Sequence, residues 1–108
     1  MNVEELRNYA LQKEDVTESF PFGENTLVLK TRNKIFVLIS LDAPELQMNL
    51  KCDPEKAIEL RELFPGNILP GYHMNKKHWN TIKVAGLKAD LVRKMIDESY
   101  LLVAKIKK

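Results

Sequence analysis

The chain predicts an α+β domain: one antiparallel sheet with helices packed on it, in the order helix, hairpin, strand, helix, strand, helix. Three observations carry this. Residues 26–30 and 34–41 are two apolar runs joined by the short polar link Thr31-Arg32-Asn33, as in a hairpin. Leu46, Met48, Leu50 and Cys52 alternate with Gln47, Asn49 and Lys51, the period of a half-buried strand. Apolar residues recur at helical spacing near the N-terminus, between residues 57 and 64, and from Lys88 onward. With 108 residues, 44% hydrophobic and 30% charged, a single domain spanning 1–108 can bury a modest core.

Each element has its local reasons. Asn2 can cap a helix whose Glu5 completes a variant of the capping box, and Val3, Leu6 and Ala10 give it an apolar stripe to about residue 13. Ser19-Phe20-Pro21-Phe22-Gly23-Glu24-Asn25 reads as an extended link ending in a turn. Ile35 to Ile39 is apolar at every position, which predicts a central strand covered on both faces. Asp53-Pro54 is a strong helix start, Ala57, Leu60, Arg61 and Phe64 continue it, and Pro65-Gly66 ends it. Residues 67–77 are expected to be irregular and His78 to Val84 a strand. From Lys88 onward Leu91, Val92, Met95, Ile96, Ser99, Leu102, Val103 and Ile106 mark one face of the last helix, which is expected to pack Leu91, Met95, Leu102 and Ile106 on the sheet.

Several function classes are disfavoured. The four glycines are scattered, so there is no phosphate-binding loop, and no His-Glu-x-x-His motif or cysteine pair points to a metal. His73 and His78 are five apart, an odd separation that opposes them on an extended strand. Cys52 falls on the apolar side of its strand, where a small core residue is expected rather than a nucleophile. A non-catalytic protein without metal or cofactor is the expectation. The single cysteine asks for no oxidising compartment, the acidic N-terminal segment does not resemble a signal peptide, and no apolar run is long enough to span a bilayer. A cytoplasmic protein with no membrane partner follows as the expectation, and nothing calls for more than a monomer.

Charge is more informative in its distribution than in its total of +2. Residues 1–25 carry a net −4, 26–41 a net +3, 42–62 a net −3, 63–89 a net +4 and 90–108 a net +2. Such segregation can build a basic face on a nearly neutral protein, or two neutralised elements side by side. The segment PGYHMNKKHWNTIKV, residues 70–84, holds both histidines, the only tryptophan and three lysines, with no acid. Packing by Trp79 and Tyr72 beneath a wet loop is the plain explanation of it.

The runs Leu50-Lys51-Cys52-Asp53-Pro54-Glu55, Phe64-Pro65-Gly66, Tyr72-His73-Met74-Asn75-Lys76-Lys77-His78-Trp79-Asn80-Thr81 and Ser99-Tyr100 with Leu102-Val103 resemble the MmcQ/YjbR family over nearly the whole chain. The resemblance implies a compact α+β fold in a cytosolic bacterial protein of a family described as DNA-binding through a double wing. Relatives tend to carry a glycine-rich turn where this chain has Thr31-Arg32-Asn33-Lys34, which adds a positive charge at the tip. Lys30, Arg32 and Lys34 on one element, and Lys76, Lys77 and Lys83 on the other, could contact the phosphate backbone of DNA. Tyr72, His73, Asn75, His78 and Trp79 complete the candidate interface, with Asn80 and Thr81 as further neutral donors. A site for a small anionic ligand or a protein partner around Tyr72, His73, Lys76 and Trp79 is the alternative. The same run could instead be architectural, tying an irregular loop to the sheet. Lys51 is expected in solvent, unless it reaches toward the Tyr72–Trp79 loop as its place in the Leu-Lys-Cys-Asp-Pro run implies.

Overall fold

Six strands form one fully antiparallel sheet in the order β1-β2-β3-β4-β6-β5. The structure, a computed structural model, describes residues 1–71 and 74–104. The elements are α1 (Val3–Leu11), β1 (Val16–Ser19), β2 (Thr26–Thr31), β3 (Lys34–Ser40), β4 (Gln47–Lys51), α2 (Pro54–Leu63), β5 (Ile68–Pro70), β6 (Trp79–Lys83) and α3 (Ala89–Ala104). The predicted fold class holds, with two additions. Val16–Ser19, of which only Ser19 falls in the expected link and the rest carries no expectation, and Ile68–Pro70, expected as irregular chain, are short strands on the two edges of the sheet.

The local signals act as expected. Asn2 accepts from the Glu5 amide at 2.8 Å while the Glu5 carboxylate accepts from the Asn2 amide at 3.0 Å, a reciprocal cap on α1. Asp53 accepts from the Lys56 amide and Pro54 occupies the first turn of α2. The hairpin link is tighter than predicted. Thr31 and Lys34 pair in the ladder, so only Arg32 and Asn33 turn, both with positive φ (51° and 65°), as a two-residue turn compatible with strand twist demands.

Register divides the sheet into two faces. Leu27, Leu29, Val37, Ile39, Met48, Leu50 and Ile82 lie on one face and form a single buried core with Leu6 and Ala10 of α1, Ala57 and Leu60 of α2, and Val92, Ile96 and Val103 of α3. All three helices therefore cover the same side. Val28, Leu38 and Thr81 lie at the centre of the opposite face and are buried, with half-buried side chains around them. The central strand is buried from Phe36 to Ile39, as its composition predicts.

The sheet is not regular throughout. Between Leu29 and Lys30 the β2–β3 register shifts by one residue, leaving Phe36 as an extra residue in β3. The β3–β4 ladder ends at Val37 and Leu50. Just beyond it the buried Ser99 hydroxyl of α3 donates to the Phe36 carbonyl at 2.7 Å and accepts from the Lys51 amide at 2.9 Å.

The face that α3 buries matches the predicted stripe at Val92, Met95, Ile96, Ser99 and Val103 and departs from it at Tyr100 and Leu102. Val92, Met95, Ile96, Ser99, Tyr100 and Val103 face inward, Leu91 is half-buried, and Leu102 is 41% exposed. Ile106 lies outside the described residues. The predicted stripe omits Tyr100, which the helix buries: its ring meets Phe36 edge-on at 5.3 Å and its hydroxyl donates to the Glu14 carbonyl at 2.8 Å. Truncating Ile96→Ala is expected to cost about 2–5 kcal/mol in urea unfolding. Leu102→Ala is expected to stay within about 0.5 kcal/mol, and a larger loss would place that side chain in the core.

Candidate nucleic-acid interface

β2 and β4 run toward one end of the sheet while β3 and β6 run away from it, so the Arg32-Asn33 turn and the turn at 74–78 that leads into β6 emerge at the same end. They are separated by three strand spacings, about 14 Å. Lys30 is half-buried two residues before the first turn, and Lys34 is exposed just after it. Arg32 is exposed, yet one of its Nη atoms donates at 3.2 Å to the carbonyl of Ala104, the last described residue of α3.

The second turn is built on Asn75. Its Oδ1 accepts from the Lys77 amide at 2.9 Å, and its carbonyl accepts from the His78 and Trp79 amides at 3.1 and 3.0 Å. The His78 carbonyl accepts from the Cys52 amide at 2.7 Å, extending the β4–β6 pairing past its last ladder pair. Asn75 and the His78 backbone are thus architectural, and they leave the Lys76 and Lys77 side chains exposed at the tip. Tyr72 and His73 lie outside the described residues. Trp79 is half-buried at the start of β6, directly opposite Lys51 on β4, so Lys51 belongs beside this loop. Gly71 lies against the Trp79 backbone, where a Cβ would come within 2.9 Å of the Trp79 Cβ. Lys83 closes β6 opposite Gln47, four residues beyond Trp79, at the far end of the sheet. The structure does not bring it to the two turns.

Arg61 is the functional neighbour that sequence reasoning misses. Helical spacing places it in the stripe of α2 without assigning its charge a role. Its Nη1 donates to Asn80 Oδ1 at 3.0 Å and to the Lys76 carbonyl at 3.2 Å, tying α2 to β6 and to the basic turn. Asn80 is buried at 1% exposure and donates in turn to the Ala57 carbonyl. Its position on the core side of β6 is the available signal, since a buried amide demands partners.

Between α2, α3, β4 and β6 lies a cavity of about 10 Å³ lined by Leu50, Cys52, Leu60, Ile82 and Met95 with Asn80 and Glu98, barely the room one water needs. Burial pushes the Cys52 thiol up to about 11, with Glu98 and Asp53 adding to the effect. Cys52 is a core residue, as its side of the strand predicts. Among the described residues, no three His, Cys, Asp or Glu side chains converge as a metal site would require, and no helix is long and apolar enough to cross a membrane.

A six-stranded antiparallel sheet covered on one side by three helices, with two basic turns at one end, defines the class: a small single-sheet α+β domain. A family model described as YjbR matches residues 11–102. The chain belongs to the YjbR family. The uncharacterized protein YbdF of Escherichia coli O157:H7 is 38% identical over 101 residues, covering 93% of this chain and 82% of that protein. The uncharacterized protein YjbR of Escherichia coli strain K12 is 27% identical over 101 residues, covering 93% and 85%. The crystal structure of Deinococcus radiodurans protein DR2400 superposes with a TM-score of 0.92 at 38% identity, covering 99% of this chain and 83% of that one. A Pseudomonas syringae protein superposes with a TM-score of 0.77 at 25% identity, covering 95% and 99%.

Two outcomes test this anatomy. Arg61→Ala strands a buried acceptor, so it is expected to cost about 1–3 kcal/mol and to speed hydrogen exchange at the His78 and Trp79 amides. For Cys52, a folded pKa above the unfolded one contributes stability that is fully present below the unfolded value, about 8.5, and is lost as pH rises toward 11. Unfolding free energy should therefore fall with pH across that window more steeply in the wild type than in Cys52→Ala; parallel profiles would show that the thiol titrates normally.

Proposed function

We propose that this protein is a non-catalytic DNA-binding domain that grips the phosphate backbone with the two basic turns at one end of its sheet. One observation carries the reading. Arg32 with Lys34, and Lys76 with Lys77, come from segments more than forty residues apart in sequence, yet they emerge at one end about 14 Å from each other. Among the described residues Lys76 and Lys77 are exposed and belong to none of the ion pairs, which are Arg7–Glu18, Lys13–Asp97, Lys56–Glu59 and Arg93–Asp90. Exposed cations held on braced turns release counterions when they meet phosphates, and that release drives backbone binding without reading sequence. Bracing lowers the ordering cost: Arg32 is fixed to α3, and the Lys76 carbonyl to Arg61. A DNA ligand goes with a cytoplasmic location, and the reading requires only a monomer.

The salt dependence of binding to duplex DNA is the test. Neutralising four phosphates gives a log–log slope of about −3.6. Lys76→Glu with Lys77→Glu should weaken binding to all sequences alike and flatten the slope by about one for each phosphate no longer neutralised. Affinity for both duplex and single strands no tighter than about 10⁻⁴ M at physiological salt would overturn the reading, leaving a small anion or a protein as the partner.

A further inference from the structure

We infer that the helix-free face of the sheet is a seat for single-stranded nucleic acid, which would continue from the basic turns across that face. The inference rests on the proposed function for the class of ligand, and on the sheet register for the surface and for strandedness. Lys30, Lys51 and Lys83 stand on three different strands and all point to the face that none of the described helices covers. The register places no acid on that face: the one acidic strand residue, Glu18, pairs with Leu29 on the helix side, where it binds Arg7. Among the described residues none of the three ammonium groups takes part in an ion pair. All three side chains are half-buried, as long stems lying along an apolar strip produce, with the charged heads left at its margin. Partly desolvated cations without counter-charges are complementary to a polyanion.

Trp79 decides which polyanion. It is directly opposite Lys51 on the same face, so an indole and an ammonium group are set side by side. A duplex keeps its base faces stacked inside, out of reach of an indole on a sheet. A single strand offers each base for stacking while its phosphates meet the flanking lysines. Lys83, which the turns leave stranded, then has a place: it lies four residues along β6 from Trp79, about 13 Å further down the path. An acidic polypeptide would satisfy the lysines but leave the indole without a stacking partner.

Trp79 is the only tryptophan, so intrinsic fluorescence reports on the seat directly. The full chain is titrated with oligo-dT of about 16 nucleotides and with duplex DNA of equal length, with anisotropy of the labelled nucleic acid read in parallel. Expected are quenching of Trp79 by oligo-dT, an affinity for it about tenfold or more above that for duplex, and a loss of about tenfold in Lys51→Glu/Lys83→Glu with duplex affinity little changed. Lys51→Gln/Lys83→Gln, which keeps the stems over the sheet, repeats the test if the reversed variant fails to fold. Equal or tighter duplex binding that responds only to Lys76→Glu/Lys77→Glu would overturn this inference and leave the proposed function standing. No binding to either nucleic acid would overturn both. Displacement of oligo-dT by poly-glutamate at matched charge would overturn the inference in favour of an acidic polypeptide.

Discussion

The hydroxyl of Ser99 lies where the sheet cannot complete its own hydrogen bonding. The extra residue in β3 removes Phe36 from register, and the ladder to β4 stops one pair short of it. A carbonyl on Phe36 and an amide on Lys51 are left facing a fully buried site, and one side chain on α3 satisfies both. Leaving either group unpaired would cost on the order of 1–3 kcal/mol. Because a serine side chain is short, the bond fixes both the rotation and the height of α3 over the sheet. Tyr100, the next residue, then reaches the Phe36 ring and the Glu14 carbonyl. Near it Asp97 accepts from the Tyr9 hydroxyl and from Lys13, closing α1 against α3; that bond to Asp97 is the main reason the Tyr9 phenol is pushed up to about 12. Ala104 of α3 in turn meets Arg32, so the position of one basic turn depends on the same anchor.

The layering also settles what charge segregation along the chain leaves open. Glu4, Glu5, Glu55, Glu59, Glu62, Asp90, Asp97 and Glu98 lie on helices, whereas the strands carry Lys30, Lys34, Lys51 and Lys83 against the single Glu18. The acids that lie on the helices are thus kept to one layer. A molecule of net charge +2 can in this way carry an acid-free sheet face. Its two ends differ as well: one bears the braced basic turns, the other the exposed Phe20, Phe22 and Leu41.

Most of this fold is legible because burial writes a period into sequence. The alternation of residues 46–52, the apolar run of 35–39 and the cap at Asp53-Pro54 each correspond to an element found. The strands that sequence reasoning misses are edges. Val16–Ser19 shows two exposed residues in four, and Ile68–Pro70 is three residues long and ends in proline, so neither carries enough buried side chains to leave a pattern. On α3, counting apolar residues selects Leu102 over Tyr100 because the hydroxyl bond that justifies burying a tyrosine lies on Glu14, far away in sequence. The candidate site is legible in its residue types but not in its grouping. Lys83 and Lys76 are near in sequence and at opposite ends of β6, whereas Arg32 and Lys76 are distant in sequence and share an end.

The strand order carries a consequence for how the chain reaches its native state. β1 to β4 form a meander of sequential neighbours, β5 and β6 form a second hairpin, and α2 is the tether between them. Only the β4–β6 seam joins the two, with partners such as Leu50 and Asn80 thirty positions apart. Local hairpins close quickly, while a seam that must first confine the whole tether forms against a larger loss of chain entropy. The bonds that reinforce it, Thr81 to Asn49 at 2.5 Å, Cys52 to His78 and Val84 to Leu46, become available only once it has closed. Docking of the second hairpin onto the meander is therefore the step expected to carry the largest loss of chain entropy in forming the sheet.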